Sequence, residues 1–135
     1  MKAEYAIITG AAGGIGSAIA IALAKQGATV ALLDRDKAGL EKMANTISQI
    51  SKNYLTVEVD LATPESIEKA VKELLKAHTK WNILVNNAGI CLRNTLLDYS
   101  IDDWNTVMTV NLRATFLLSR LIAKTMIKNG GGKII

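Results

Sequence analysis

Near its start the chain sets three things in immediate succession: a short β-branched run, a glycine-rich turn and a stretch with helical spacing. These are Tyr5-Ala6-Ile7-Ile8-Thr9, then Gly10-Ala11-Ala12-Gly13-Gly14-Ile15-Gly16, then a segment reaching Gln26. Glycines at such a joint let the chain leave a strand sharply and let the following helix lie close to it. The alternation then repeats. Apolar runs recur at Thr29–Asp34, Tyr54–Asp60 and Ile83–Asn87, and a fifth begins at Lys133-Ile134-Ile135. Near-continuous apolar runs suit a parallel sheet covered on both faces. Only Tyr54–Asp60 alternates, which suits an edge strand.

The intervening segments carry helix boundary signals. The first runs from Gly14 to Gln26 and stops at Gly27. Its Ile15, Ala18, Ile19, Ala22 and Leu23 form one face at helical spacing, and the alanines would let it approach the sheet. The second starts at Asp36, an N-cap, and ends around Ser51. The third opens with Thr63-Pro64-Glu65: a cap, a proline in the first turn and an acid at the positive end of the helix. The fourth begins at Ser100, with Asp103 in capping-box register, and meets no proline or glycine before Gly130. It is expected to run for roughly 30 residues, long for a globular helix. The pattern βαβαβαβαβ predicts an α/β fold, a doubly wound parallel sheet of Rossmann type. Residues 1–135 read as one domain without repeat or linker.

Composition excludes several classes. Apolar residues make up 50% and charged residues 21% of 135, values foreign to disordered or collagen-like chains. Apolar runs are too short to span a bilayer, and Met1–Tyr5 does not read as a signal peptide. One cysteine, Cys91, rules out an internal disulfide framework and a cysteine zinc site, and fits a reducing cytoplasm. One histidine, His78, rules out a histidine metal cluster; it reads as a helix C-terminal or solvated side chain, and no metal is expected. The net charge of +4 is scattered and aromatics are only 4%, so nucleic acid is not an expected partner, nor is a membrane. Trp81 and Trp104 read as packing anchors.

The glycine turn has its own chemistry. Gly10 permits the sharp exit, Gly14 removes a Cβ where backbone must approach a pyrophosphate, and Gly16 lets the helix pack closely. The helix then offers unpaired N–H groups and a positive dipole end to phosphate. Its spacing is G-x-x-x-G-x-G, and no lysine follows as in a P-loop. Gly-rich turns are often only turns, but this one sits between a strand and a helix. Thr9–Gly16 resembles the TGxxxGxG turn of the short-chain dehydrogenase/reductase family, and Asn86-Asn87-Ala88-Gly89 resembles its NNAG motif. Asp60, before Leu61, resembles its adenine-amine acceptor, and Asn111 its catalytic-tetrad asparagine. The likeness runs from Thr9 to Ile135, in order. Each residue also has a plain reading: Asn87 as a bond to strand ends, Gly89 as a turn, Asp60 as a helix-leading acid, Asn111 as a solvated or core-bonded amide.

The resemblance implies hydride transfer between a nicotinamide cofactor and a carbonyl or secondary alcohol, a homo-oligomer, and a sheet ordered 3-2-1-4-5. It implies that Gly10, Gly13, Gly14, Ile15 and Gly16 hold pyrophosphate. Asp34 and Arg35 then lie at the adenosine ribose, Asp60 and Leu61 at adenine, and Asn87, Ala88 and Gly89 at the nicotinamide ribose. Asp34 closes the second strand, about where the dinucleotide fold places an acid. Its carboxylate would accept from both ribose hydroxyls and repel a 2′-phosphate. Ser17 stands where NADP-using relatives often carry a basic residue. NAD is therefore expected over NADP, although Arg35 is placed to swing onto a phosphate or lie over adenine.

The family's acid/base tyrosine and its lysine are not here. Tyr5, Tyr54 and Tyr99 are followed, at Tyr-x-x-x-Lys spacing, by Thr9, Glu58 and Asp103. In the family the serine, tyrosine and lysine follow the fifth strand, inside which this chain ends. The chain is expected to be the amino-terminal, cofactor-binding part of an enzyme of roughly 250 residues, with Asn111 its only tetrad position and no turnover of its own. Leu117, Leu118, Leu121 and Ile122 would then be bare and favour self-association. Two alternatives stay open: a non-catalytic dinucleotide-binding or interaction module working at this length, and an α/β scaffold without a ligand.

Overall fold

A computed structural model describes residues 4–135; Met1–Ala3, part of the segment read above as no signal peptide, lie outside the described residues. In chain order the elements are β1 (Tyr5–Thr9), α1 (Gly14–Lys25), β2 (Thr29–Asp34), α2 (Lys37–Ser48), β3 (Tyr54–Glu58), α3 (Pro64–Ala77), β4 (Ile83–Val85), α4 (Ile101–Met108), a π-helical turn (Thr109–Arg113), α5 (Ala114–Lys128) and β5 (Lys133–Ile134). The sheet is parallel, in the order β3-β2-β1-β4-β5. That is the order the resemblance implied, with the alternating strand at one edge. The chain steps outward from β1 to β3, then returns to the other side of β1 with β4. This reversal parts the loops above β1 and β4 and opens a crevice at the carboxyl ends of the strands.

Side chains along each strand alternate between two cores, as a pleated strand requires. Ile7, Leu33, Val57 and Leu84 point to the layer of α3 and α5. Ala6, Ile8, Leu32 and Val85 point to the layer of α1 and α2. Both faces are covered, which is why the strands are apolar throughout.

Several boundaries and faces differ from the sequence reading. The third strand ends at Glu58, although Val59 N still donates to Asp34 O at 2.9 Å. The buried face of α1 is not the Ile15–Leu23 stripe. It is Gly16, Ala20 and Ala24, while Ile15 is 73% exposed. The helix lies so near the sheet that only small residues fit beneath it; Ile19 and Leu23 fill its flanks. Thr63 precedes α3 but makes no side-chain cap, because its hydroxyl donates back to Asp60 O. Ser100 does cap α4, accepting from Asp103 N at 3.0 Å.

The last helical run spans Ile101 to Lys128 as expected, but the turn at Thr109–Arg113 is π-helical. The extra residue in that turn rotates the faces that follow. None of α4 is buried, whereas α5 buries Ala114, Leu118, Ile122 and Met126. Leu118 and Ile122 are therefore not bare, and Leu117 and Leu121 pack against the same core, because α3 lies alongside α5 on this face of the sheet. The open apolar surface lies elsewhere on the run, at Ile101, Trp104, Leu112, Phe116 and Ile127. Trp104, 55% exposed, joins neither apolar core among the described residues. Among the described residues no helix is long and apolar enough to cross a membrane.

Trp81 is the packing anchor that the sequence suggests. It is fully buried, its indole N–H donates to Leu74 O at 2.9 Å, and its ring meets both Tyr5 and His78 edge-on, while those two rings are tilted against each other. His78 itself closes α3, its N–H donating to Leu74 O. Trp81→Ala is expected to cost about 3–5 kcal/mol, read as a lower urea midpoint with the denaturant slope unchanged.

Candidate functional site

The glycine turn is held from two directions. On one side Ala11 N donates to Leu33 O at 3.1 Å, and Ala12 N to the Asp34 carboxylate at 3.0 Å. On the other, the Asn87 amide donates to Thr9 O at 3.0 Å and Gly10 O at 3.3 Å. The Thr9 hydroxyl donates to Val85 O and accepts from Ala88 N. The turn thus bridges the ends of β2 and β4, with β1 between them.

Its glycines divide into two kinds. Gly10 has φ +66°, and a Cβ there would lie 2.9 Å from the Asn87 amide nitrogen. A Cβ on Gly16 would stand 2.1 Å from Gly10 O. The fold itself requires these two. A Cβ on Gly14 would meet nothing within 4 Å. Nothing in the packing of the protein excludes a side chain there. The bareness faces the crevice.

That crevice has a volume of about 390 Å³. It is lined by Gly10, Gly13, Gly14, Ile15, Gly16, Asp34, Arg35, Asp60, Leu61, Asn87, Ala88 and Gly89, so residues scattered over four loops of the sequence meet in one place. Leu33, Val59, Ile90 and Val110 line it too. The sequence reading did not name these four. Three are direct neighbours of residues it did name (Asp34, Asp60, Gly89), and Val110 precedes Asn111.

Charge is placed at the rim. Asp34, half-buried, accepts from Ala12 N on one carboxylate oxygen and from Asp36 N on the other, each at 3.0 Å. Each oxygen keeps a lone pair for a further donor. Asp60 accepts from Ala62 N at 2.9 Å through one oxygen, and its own N–H donates to Ser66 Oγ. Arg35 is exposed. Cys91 is exposed and does not line the crevice. No group of three or more His, Cys, Asp or Glu able to hold a metal occurs among the described residues.

Asn111 stands in the π-helical turn, and both ends of its amide are engaged. Ile90 N donates to Oδ1 at 2.8 Å, and Nδ2 donates to Ile90 O at 2.9 Å. The helical run is thereby stitched to the rim just past Gly89. A π-turn leaves one residue out of the α register, and such turns recur where a helix presents a functional group.

The lining suits an extended, doubly charged anion with hydroxyl-bearing ends. Helix α1 starts without a side-chain cap and without an acid in its first turn, so its leading amides and dipole are open to phosphate. Exposed Ile15 offers an apolar contact beside them. The carboxylates of Asp34 and Asp60 supply acceptors further along.

A family model described as short chain dehydrogenase matches residues 4–135. The chain is 39% identical to the NAD-dependent glycerol dehydrogenase of Listeria innocua, over 98% of this chain and 51% of that protein. It is 33% identical to the D-threitol dehydrogenase of Mycolicibacterium smegmatis, over 100% of this chain and 52% of the relative. Among solved structures it superposes on the L-sorbose reductase of Gluconobacter frateurii, complexed with NADPH and L-sorbose, with a TM-score of 0.93 at 33% identity, covering 98% of this chain and 51% of that one. A metagenomic short-chain oxidoreductase in complex with NADP gives a TM-score of 0.92 at 34% identity, covering 97% and 60%. The chain spans about half the length of the curated relatives it matches.

The two kinds of glycine are separable by mutation. Gly16→Ala is expected to destabilise the fold by at least about 1–3 kcal/mol, the range for overpacking. Gly14→Ala, at the start of α1, should leave the denaturation midpoint unchanged or slightly higher. Chemical denaturation of the two variants beside the parent chain checks both.

Proposed function

This chain belongs to the short-chain dehydrogenase family, and from that premise we propose that its crevice holds a nicotinamide dinucleotide, NAD in preference to NADP. The reading rests on Gly14, bare toward the crevice where the packing of the protein asks for no bareness. The amides of Gly14, Ile15 and Gly16, with Gly10 and Gly13 beside them, would take the pyrophosphate. Asp34 would accept from the adenosine ribose hydroxyls and Asp60 from the adenine amine, with Arg35 and Leu61 flanking. Asn87, Ala88 and Gly89 would border the nicotinamide ribose. When bound, the dinucleotide supplies a hydride acceptor or donor for a carbonyl or secondary alcohol.

The residues of this chain bind and orient; they do not move the proton. Asn111 is the one position of the family's catalytic set that the sequence contains, and its amide is spent on Ile90. An asparagine side chain is no acid/base at neutral pH, and no tyrosine here has a lysine at the family's spacing. The 135 residues by themselves are therefore read as a binding part without turnover. The whole protein is read as a cytoplasmic homo-oligomer acting on a small carbonyl or alcohol, with the exposed Trp104, Leu112 and Phe116 as surface for self-association.

Preference for NAD follows from charge. A 2′-phosphate beside the Asp34 carboxylate meets like charge, and Asp34 already satisfies the nearest backbone donors, Ala12 N and Asp36 N. Arg35 acts in the opposite direction but is exposed and screened.

Isothermal titration of the chain with NADH should give saturable binding, lost by at least about tenfold in Gly14→Ala. Retained affinity in that stably folded variant would remove the proposed phosphate cradle. NADPH should bind more weakly than NADH. Asp34→Ser, which takes away the charge, should narrow that gap by about tenfold or more. An unchanged ratio would show that Asp34 does not set the preference.

A further inference from the structure

The first turn of α2 presses against the glycine turn at a point the cofactor chemistry does not explain. Gly39 is the residue in contact. A Cβ on it would lie 2.7 Å from the Ala12 Cβ and 2.6 Å from a carboxylate oxygen of Asp36. Real Cβ atoms do not approach so closely, so the space has been given up by Gly39 and filled by its neighbours. The cost is a glycine inside a helix, which is unfavourable by about 0.5–1 kcal/mol against alanine.

The contact closes a ring. Ala12 N donates to one oxygen of Asp34, and Asp36 N donates to the other. The Asp36 side chain in turn accepts from Gly39 N at 3.0 Å, capping α2. Gly39 then bears on Ala12, where the ring began. Asp34 sits inside this ring with both oxygens oriented by backbone amides. Its remaining lone pairs have a fixed direction only while the glycine turn and the start of α2 stay at this separation.

We propose that Gly39 is a positioning residue for Asp34: its missing side chain lets α2 bear on Ala12, which holds the carboxylate in the orientation that accepts the adenosine ribose hydroxyls. The proposal rests on the reading of Asp34 given above. The Asp36 oxygen can rotate away from an intruding methyl at the expense of its cap. The Ala12 Cβ cannot, because its backbone is tied to Asp34. An added Cβ at position 39 therefore drives the turn and α2 apart and turns the carboxylate off its target.

The test uses two ligands, NADH and its analogue lacking the adenosine 2′-hydroxyl, titrated into the 135-residue chain. General loss of stability weakens both ligands alike. Loss of Asp34 orientation weakens only the one that carries the hydroxyl. The parent chain should favour NADH by about tenfold, the worth of one hydrogen bond to a charged acceptor. In Gly39→Ala that preference should fall to about twofold or less. In the double variant Ala12→Gly/Gly39→Ala, where the obstructing Cβ has been moved off the turn, most of it should return. A Gly39→Ala chain that retains the parent preference overturns the proposal, as does a folded double variant that fails to regain it. Should the parent chain bind neither ligand, the dinucleotide reading falls and this one with it. Binding of both ligands with equal affinity would leave the dinucleotide reading standing and overturn the role of Asp34 on which this inference depends.

Discussion

Everything at the carboxyl edge of the sheet hangs on one close approach of backbone to backbone. The first turn of α1 and the turn that leaves β1 come so near that a methyl on Gly16 would overlap the carbonyl of Gly10. That approach brings the amino end of a helix directly over a strand end. The Asn87 amide then ties the carbonyls of Thr9 and Gly10 to the end of β4. Gly10 O also accepts from Gly13 N at 3.1 Å, so the amide is the second donor at that carbonyl. The same bonds fix where the crevice opens. Fold stability and site geometry are in this sense one arrangement: the glycines that allow the packing also set the amides of α1 facing outward.

Much of this was legible in the sequence, and the reasons differ by element. Strand order followed from the resemblance, since nothing in apolar runs alone says that β4 lies beside β1. The strands themselves showed because burial on both faces leaves no polar alternation to blur them. The inner face of α1 did not show. A stripe of large apolar residues ordinarily marks the core side of a helix, but here the sheet is too close. The buried side is a line of Gly16, Ala20 and Ala24, and composition alone reads these as filler. The burial of Leu118 and Ile122 was missed because α3 packs beside α5, a tertiary fact without local trace. The π-turn was not read either: no proline or glycine interrupts the run from Ser100 to Gly130, and the one local trace is that Thr109, Val110 and Asn111, weak helix formers, follow one another where the turn lies.

Family likeness constrains the cofactor less than the local charges do. One relative is an NAD-dependent dehydrogenase, while the solved structures similar to this chain hold NADP or NADPH. The shared fold therefore accommodates either dinucleotide. The proposed preference rests on the few side chains at the end of β2. There this chain carries Asp34, Arg35 and Asp36 in succession. Two carboxylates flank one guanidinium, and the first is locked by backbone amides while Arg35 is exposed. On the reading proposed above, the fixed, partly buried charge outweighs the mobile one in water, because the mobile one is screened and loses side-chain entropy on engaging.

The π-turn joins two regions that otherwise share nothing. Val110 lines the crevice, and Asn111 grips the rim at Ile90. Arg113 reaches Ala62 O beyond Asp60, and Leu112 between them is exposed to solvent next to Phe116. Four successive residues thus face the cavity, its far rim, the open surface and the loop at the other end of the site. An α-helix turns its side chains by about 100° per residue, which would scatter these contacts differently. Inserting one residue is the smallest change that lets α5 keep its leucine and isoleucine face on the sheet while the preceding turn serves the crevice. The core packing of α5 then supplies the rigidity that holds Asn111 against Ile90.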